Sequence, residues 1–265
     1  MDGDVRSVLE MRSSANLSLR GFAMRVVSEL ARPSEGGHES FSADLAREIV
    51  SFARTGDQGR LSVLYTHLKQ RRVTAEGVMD VYLPHAVQVI GQAWHDEEID
   101  VLHASMACAR MQNLLREMGR AWASDRTGRV DDGRVLLTLP VGEQHSLGAM
   151  LLANQLRRRG VSVKVMLLPR LAELRALLKR SQFHAVFISA SNATSLEPCA
   201  KMVRELRCCA DYAIPIIIGG GLVSSAFAGN DPLRIAEITG ADTVTSDIER
   251  ALHACGLQQV SAAAE

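Results

Sequence analysis

From Arg134 onward the chain alternates short runs of Val, Ile and Leu with runs of helical pattern, and this rhythm restricts its folds more than any other feature. The runs "RVLLTL", "VSVKVMLL", "HAVFISA" and "IPIIIGG" are short and nearly continuous in apolar character. Strands buried on both faces read this way. Helical runs over 146–159, 170–180, 195–209 and 231–239 separate and follow them, and a short strand at "ADTV" and a helix over 246–255 close the series. Alternation of this kind predicts a parallel sheet with helices on both faces. Five strands predict the flavodoxin-like order 2-1-3-4-5 rather than the six-stranded dinucleotide order.

Residues 41–123 follow a different rule. Four helical runs, 42–55, 59–70, 74–94 and 99–123, occur without a credible strand, and Thr74 suits the N-cap of the third. That run places Val78, Val81, Tyr82, Val89, Ile90, Ala93 and Trp94 at helical spacing. Four helices joined by short loops predict an antiparallel bundle. The polar stretch "SDRTGRVDDG" links it to the α/β part. Residues 1–40 contain one helical run, "LSLRGFAMRVVSELAR", and end in the linker-like "PSEGGHES". The expected organisation is therefore an extension over 1–40, a helical cap over 41–123 and an α/β domain over 134–258.

Composition narrows the function. Lys plus Arg equals Asp plus Glu at 30 each, so the chain lacks the basic excess of proteins held on nucleic acid by phosphate contacts. The local clusters "KQRR" and "RRR" suit helix C-termini, where cations are stabilising. Five cysteines, Cys108, Cys199, Cys208, Cys209 and Cys255, match no zinc spacing and read as reduced thiols. The first residues carry Asp2, Asp4 and Glu10 rather than a signal-peptide core, and no apolar run approaches the ~20 residues of a membrane span. A cytoplasmic protein is expected.

In a 2-1-3-4-5 sheet, ligands bind beyond the carboxyl ends of the strands, where the winding reverses. Here strand 1 is followed by "VGEQHSLG", strand 3 ends in "SASNATS" and strand 4 in "GGG". A neutral imidazole at His145 is a strong ligand for a borderline transition metal, and Glu143 can fix its tautomer. Ser189 and Ser191 offer small hydroxyls, and Gly219, Gly220 and Gly221 leave bare backbone against which a bulky group can lie. Plainer readings stand beside this one. A loop histidine is commonly a solvent-facing turn residue, paired serines commonly cap the next helix, and glycine runs are ordinary loop chemistry.

The three segments together resemble the signature of cobalamin-binding domains, Asp-x-His-x-x-Gly, then Ser-x-Leu, then Gly-Gly. In this chain they are Glu143-Gln144-His145-Ser146-Leu147-Gly148, Ser189-Ala190-Ser191 and Gly219-Gly220. The resemblance implies that His145 is the lower axial ligand of cobalt, replacing the cofactor's own dimethylbenzimidazole. It implies further that the displaced nucleotide tail threads past Gly148, the serines and the glycines. The stretch "VMDVYLPHAVQVIGQAWHDEEIDVLHASMA" is similar to the four-helix cap preceding such domains in methionine synthase, corrinoid methyl carriers and light-responsive regulators. By that analogy Trp94 covers the upper face of the corrin.

The chain departs from the pattern in three places. Glu143 stands for Asp, and Ser191 stands for Leu. Where adenosylcobalamin-binding light sensors carry Glu-His about ten residues after the cap Trp, this chain has Ala104 and Ser105, with His103 one position earlier. Hydroxo- or aquacobalamin is therefore expected rather than adenosylcobalamin.

The overall match is nearest to the AerR/PpaA group of antirepressors from purple photosynthetic bacteria. That group implies a non-enzymatic, cobalamin-binding regulator. It would relieve repression of photosynthesis (pigment) genes in response to light and B12 by engaging a DNA-binding repressor, without sequence-specific nucleic-acid contact of its own. The alternative is a corrinoid methyl carrier serving separate methyltransferases. A nucleotide-binding α/β domain is disfavoured by the lack of G-x-G-x-x-G and of a P-loop Lys. A stand-alone B12 mutase would need a barrel-sized domain that 265 residues cannot hold.

Overall fold

A computed structural model describes residues 41–119, 133–143, 145–191, 193–210, 212–223 and 231–257. The run expected near 17–32, most of the 124–133 linker and the last residues of the chain lie outside these. The chain divides into two compact units between Leu114 and Leu115.

The first unit is helical. Helix α1 (Ala43–Thr55) starts at Ser42, whose side chain accepts from Leu45 N, and stops at Gly56 in the left-handed conformation (φ 69°). A hydroxyl at the start and a glycine at the end satisfy the orphan groups of a helix. Helix α1 packs on α2 (Gln58–Gln70) and on the long third run. That run is α3 (Ala75–Gly77), a π-helical turn (Val78–Tyr82) and α4 (Leu83–His95) in unbroken succession. The sequence predicts one regular helix here, and the structure widens one turn of it. Pro84 explains the difference: it has no N–H, and its ring crowds the carbonyl four residues back. The wider turn lies directly before it, with Leu83 N bonded to Val78 O.

The inserted turn also shifts the apolar face. Val78, Tyr82, Ile90 and Ala93 are buried, whereas Val81, Val89 and Trp94 lie partly exposed at its margin. Helix α5 (Val101–Met118), expected over 99–123, is tied to α1 by Arg110, which donates to Ala53 O (2.8 Å) and Arg54 O (2.7 Å).

The second unit is a five-stranded parallel sheet of order β2-β1-β3-β4-β5, as the sequence predicts. The strands are β1 (Arg134–Thr138), β2 (Ser162–Met166), β3 (Ala185–Ser189), β4 (Ile216–Gly219) and β5 (Thr243–Val244). Between and after them run α6 (Ser146–Arg158), α7 (Leu171–Arg180), α8 (Leu196–Cys209), α9 (Pro232–Thr239) and α10 (Ile248–Ala254).

Strand residues alternate between two cores. Leu136, Val186, Ile188, Ile216 and Ile218 pack against Leu174 and Leu178 of α7, Val203 and Leu206 of α8, and Ile235 of α9. Val135, Leu137, Phe187 and Ile217 face the other way, toward Ala149, Ala153 and Leu156 of α6 and Leu252 of α10. Period-two alternation with both faces covered is why these strands read as unbroken apolar runs. Each fully buried Leu or Ile contributes roughly 1.5–3 kcal/mol. No helix among the described residues is long and apolar enough to cross a membrane.

Candidate functional site

Strand β1 lies between β2 and β3, so the winding reverses at its carboxyl end. The chain leaves β1 through Leu139 into a tight turn, Pro140–Glu143, closed by Glu143 N to Pro140 O (3.1 Å). Gly142 takes φ 87°, the left-handed third position of a type II turn that only a residue without Cβ fills without strain. The turn exposes Val141 and buries Glu143.

The Glu143 side chain is 2% exposed, yet it is fully engaged. Oε1 accepts from His145 N (3.0 Å) and lies 2.7 Å from His145 Nδ1. Oε2 accepts from Ser191 N (2.9 Å), from Ser191 Oγ and from Ser195 Oγ (3.0 Å). One carboxylate thus ties the loop after β1 to the loop after β3, across the reversal of winding. Burial alone would raise the Glu143 pKa, but the bonds from His145 and Ser191 outweigh it and hold the carboxyl at about 2. The group is a carboxylate at every physiological pH.

His145 is the N-cap residue of α6 but its side chain makes no capping bond, and a third of that side chain is exposed. A carboxylate on Nδ1 selects the Nδ1–H tautomer and leaves the lone pair on Nε2, the arrangement that suits a histidine to ligate metal. Two serines of the β3 loop turn to the same carboxylate. The hydroxyls of Ser191 and Ser195 both donate to Glu143, and Ser195 heads α8 without a side-chain cap bond.

Below them Cys199 is buried, and burial together with the Glu143 charge pushes its thiol up to about 12. It is a thiol, not a competing thiolate ligand. Among the described residues no group of three His, Cys, Asp or Glu is placed to hold a bare metal ion. A single imidazole instead suits a metal that arrives with its other ligands.

The glycines divide into two kinds. Gly219 pairs with Ser189 in the β3–β4 register, and a Cβ on it would stand 2.8 Å from Thr245 O. On Gly220 (φ 94°) a Cβ would stand 2.5 Å from Ala190 O and 3.2 Å from Ser189 Oγ. These two let β3, β4 and the loop after β5 close together. Gly221 is buried and opens a 3₁₀ turn. Gly148, one helical turn beyond His145, differs: among the described residues outside its own turn of helix, a Cβ there would meet no atom within 4 Å. The backbone is bare there, one turn of helix from His145.

The structure therefore brings together Glu143, His145, Ser189, Ser191, Gly219, Gly220 and Gly221 at one sheet edge, with Gly148 one turn away. Trp94 belongs to the helical unit and is half-buried near the end of α4. Ser195 was not singled out from the sequence, although it closes the "SASNATS" segment. The only signal for it is a third serine one helical turn after Ser191. His103, the nearest cap histidine to the expected Glu-His position, is held by Asp100 Oδ1 (2.7 Å to Nδ1).

A parallel 2-1-3-4-5 sheet carrying a carboxylate-held imidazole beside its topological switch has the donor chemistry for a metal cofactor that brings its other ligands. Residues 133–263 match the family model of the B12 binding domain. The chain is 34% identical over 188 residues to the 20.5 kDa protein in the bchF-crtJ intergenic region of Rhodobacter capsulatus, covering 71% of this chain and 95% of that protein. The monomethylamine corrinoid protein of Methanosarcina barkeri shares the fold, with TM-score 0.59 and 16% identity over 81% of this chain and 94% of that one. The chain belongs to the B12-binding domain family.

Proposed function

We propose that this protein is a cobalamin-binding antirepressor of the AerR/PpaA kind, controlling photosynthesis gene expression in response to light and B12 through a DNA-binding repressor. The observation that carries the regulatory part is the relative encoded between bchF and crtJ, a photosynthesis gene region, 95% of whose length matches 71% of this chain. The carboxylate-held His145 carries the cofactor part.

In this reading His145 would hold cobalt through Nε2. Glu143 orients the ring and keeps Nδ1 protonated. Ser189, Ser191 and the glycines 219–221 would line the path of the nucleotide tail, and Gly148 would border it one turn beyond the imidazole. Bound cobalamin supplies a light- and ligand-sensitive cobalt centre. Hydroxo- or aquacobalamin is the expected form, because the cap carries Ala104 and Ser105 where the Glu-His pair would stand. Loading acts on the repressor partner only if loaded and apo protein bind it with different affinities.

The test is reconstitution with aquacobalamin, followed by its visible spectrum in dark and in light. The wild-type protein is expected to take up one equivalent, and His145→Ala to lose that uptake or shift the spectrum. A spectrum indifferent to the substitution removes His145 as ligand. Equal affinity of apo and loaded protein for the repressor removes cofactor-gated regulation. The second reading, a corrinoid methyl carrier, is favoured by the shared fold of the monomethylamine corrinoid protein. It requires that the reduced, loaded protein accept a methyl group from a donor with a partner methyltransferase.

A further inference from the structure

The two departures within the signature touch each other. Glu143 stands for Asp and Ser191 for Leu, and in the fold Glu143 Oε2 receives both the backbone N–H and the hydroxyl of Ser191. Both residues are buried, at 4% exposure each, and 48 positions separate them in sequence. We infer that Glu143 and Ser191 form one matched device, in which Ser191 is a positioning residue that acts through Glu143 on His145. The inference rests on the proposed function for its consequence at cobalt, but not for the coupling itself.

The physical argument is one of reach and filling. Glu143 must span from His145 on its own loop to the β3 loop, with one oxygen for each. A side chain shorter by one C–C bond, about 1.5 Å, cannot keep both contacts without moving a loop. Ser191 offers a small hydroxyl where the longer acid arrives. Leucine at 191 would drive an isobutyl group against the carboxylate and remove one of the three donors that hold Oε2. With aspartate at 143 the acid retreats, and the space it leaves can take the leucine. Each change alone breaks the fit, and the two together restore one.

A double-mutant cycle tests this with Glu143→Asp, Ser191→Leu and the pair, on the full-length chain. Two readouts are taken: thermal midpoint of the apo protein, and aquacobalamin titration with the visible spectrum of the bound form. Each single variant is expected to lose about 10–100-fold in cobalamin affinity, the usual cost of losing a residue that orients a metal-ligating histidine. Each is also expected to lower the apo midpoint. The pair is expected to recover most of both, together with the wild-type spectral band positions, which a merely structural role would not move.

Losses that add without recovery in both readouts overturn the coupling. Should Ser191→Leu not fold, Ser191→Ala and Ser191→Thr replace it. Alanine is then expected to weaken binding and shift the spectrum, while threonine, which keeps the hydroxyl, holds both; equal behaviour of the two overturns the inference. If wild type binds no cobalamin, the functional reading fails, while the apo cycle still decides the coupling.

Discussion

Among the described residues, two carboxylate–imidazole pairs share one local plan at a helix start, one in each unit. Asp100 stands before α5 and accepts from His103 N (2.8 Å) while meeting His103 Nδ1 (2.7 Å). Glu143 stands before α6 and does the same to His145, at 3.0 Å and 2.7 Å. What differs is the setting. The Asp100 side chain is 62% exposed and its bonds stay within its own helix start, whereas Glu143 is 2% exposed and bonded to a second loop. Hydrogen bonds from the His103 backbone and side chain lower the Asp100 pKa, but water screens that carboxylate on every side. The same bonds at Glu143 act in a site where an unpaired charge would be costly, so they fix the geometry of an imidazole rather than decorate a helix end.

The comparison breaks most directly if the two acids are neutralised without change of size. Glu143→Gln puts an amide where Oε2 accepts from three donors, two of them hydroxyls and one the Ser191 backbone. Each buried donor left unsatisfied costs about 1–3 kcal/mol. A large fall in the apo midpoint is expected from thermal unfolding, together with a ~10–100-fold loss of cobalamin affinity. Asp100→Asn keeps a good helix-capping residue and is expected to leave both measurements unchanged. Equal effects from the two substitutions would show that burial does not separate the pairs.

Acid sharpens the same contrast. The Glu143 carboxyl is held at about 2 against an ordinary 4.5, so its folded-state pKa is depressed. Its contribution to stability is complete above the unfolded value and is lost as pH falls from about 4.5 toward about 2. Stability of the apo protein measured by denaturant titration between pH 6 and pH 2 is expected to fall across that window. Glu143→Gln should flatten this limb, and Asp100→Asn should leave it standing. A wild-type limb that survives Glu143→Gln unchanged would assign acid sensitivity to other carboxylates.

How much of this could be read from the sequence follows from the range of the interactions. Short, nearly continuous apolar runs alternating with helical runs revealed the sheet, because parallel strands covered on both faces leave a local apolar record. His145, Glu143 and the strand-end serines and glycines could be placed at one edge because chain topology alone carries them there. The clasp of Glu143 by Ser191 and Ser195 could not, since it depends on where a side chain points after 48 and 52 residues of intervening chain. The π turn before Pro84 left no trace in apolar spacing, as one extra residue shifts the stripe without erasing it. Gly148 matched the signature but gave no hint that its surroundings differ from those of Gly219 and Gly220, which only the packing reveals.

That difference yields the smallest and most selective expectation. Three residues beyond His103 the chain carries Met106, 43% exposed, on the same helical face. Three residues beyond His145 it carries Gly148, where an added methyl would meet none of the described residues outside its own turn of helix. For folding alone, glycine at this helical position is the poorer choice, by up to about 1 kcal/mol relative to alanine. Gly148→Ala is therefore expected to raise the apo midpoint slightly while weakening cobalamin uptake, because the methyl enters the path proposed for the nucleotide tail one turn beyond the imidazole. Opposite signs in the two measurements would mark a position kept bare for a ligand. A stabilised protein that binds cobalamin as well as wild type would instead mean that no part of the cofactor lies over this turn.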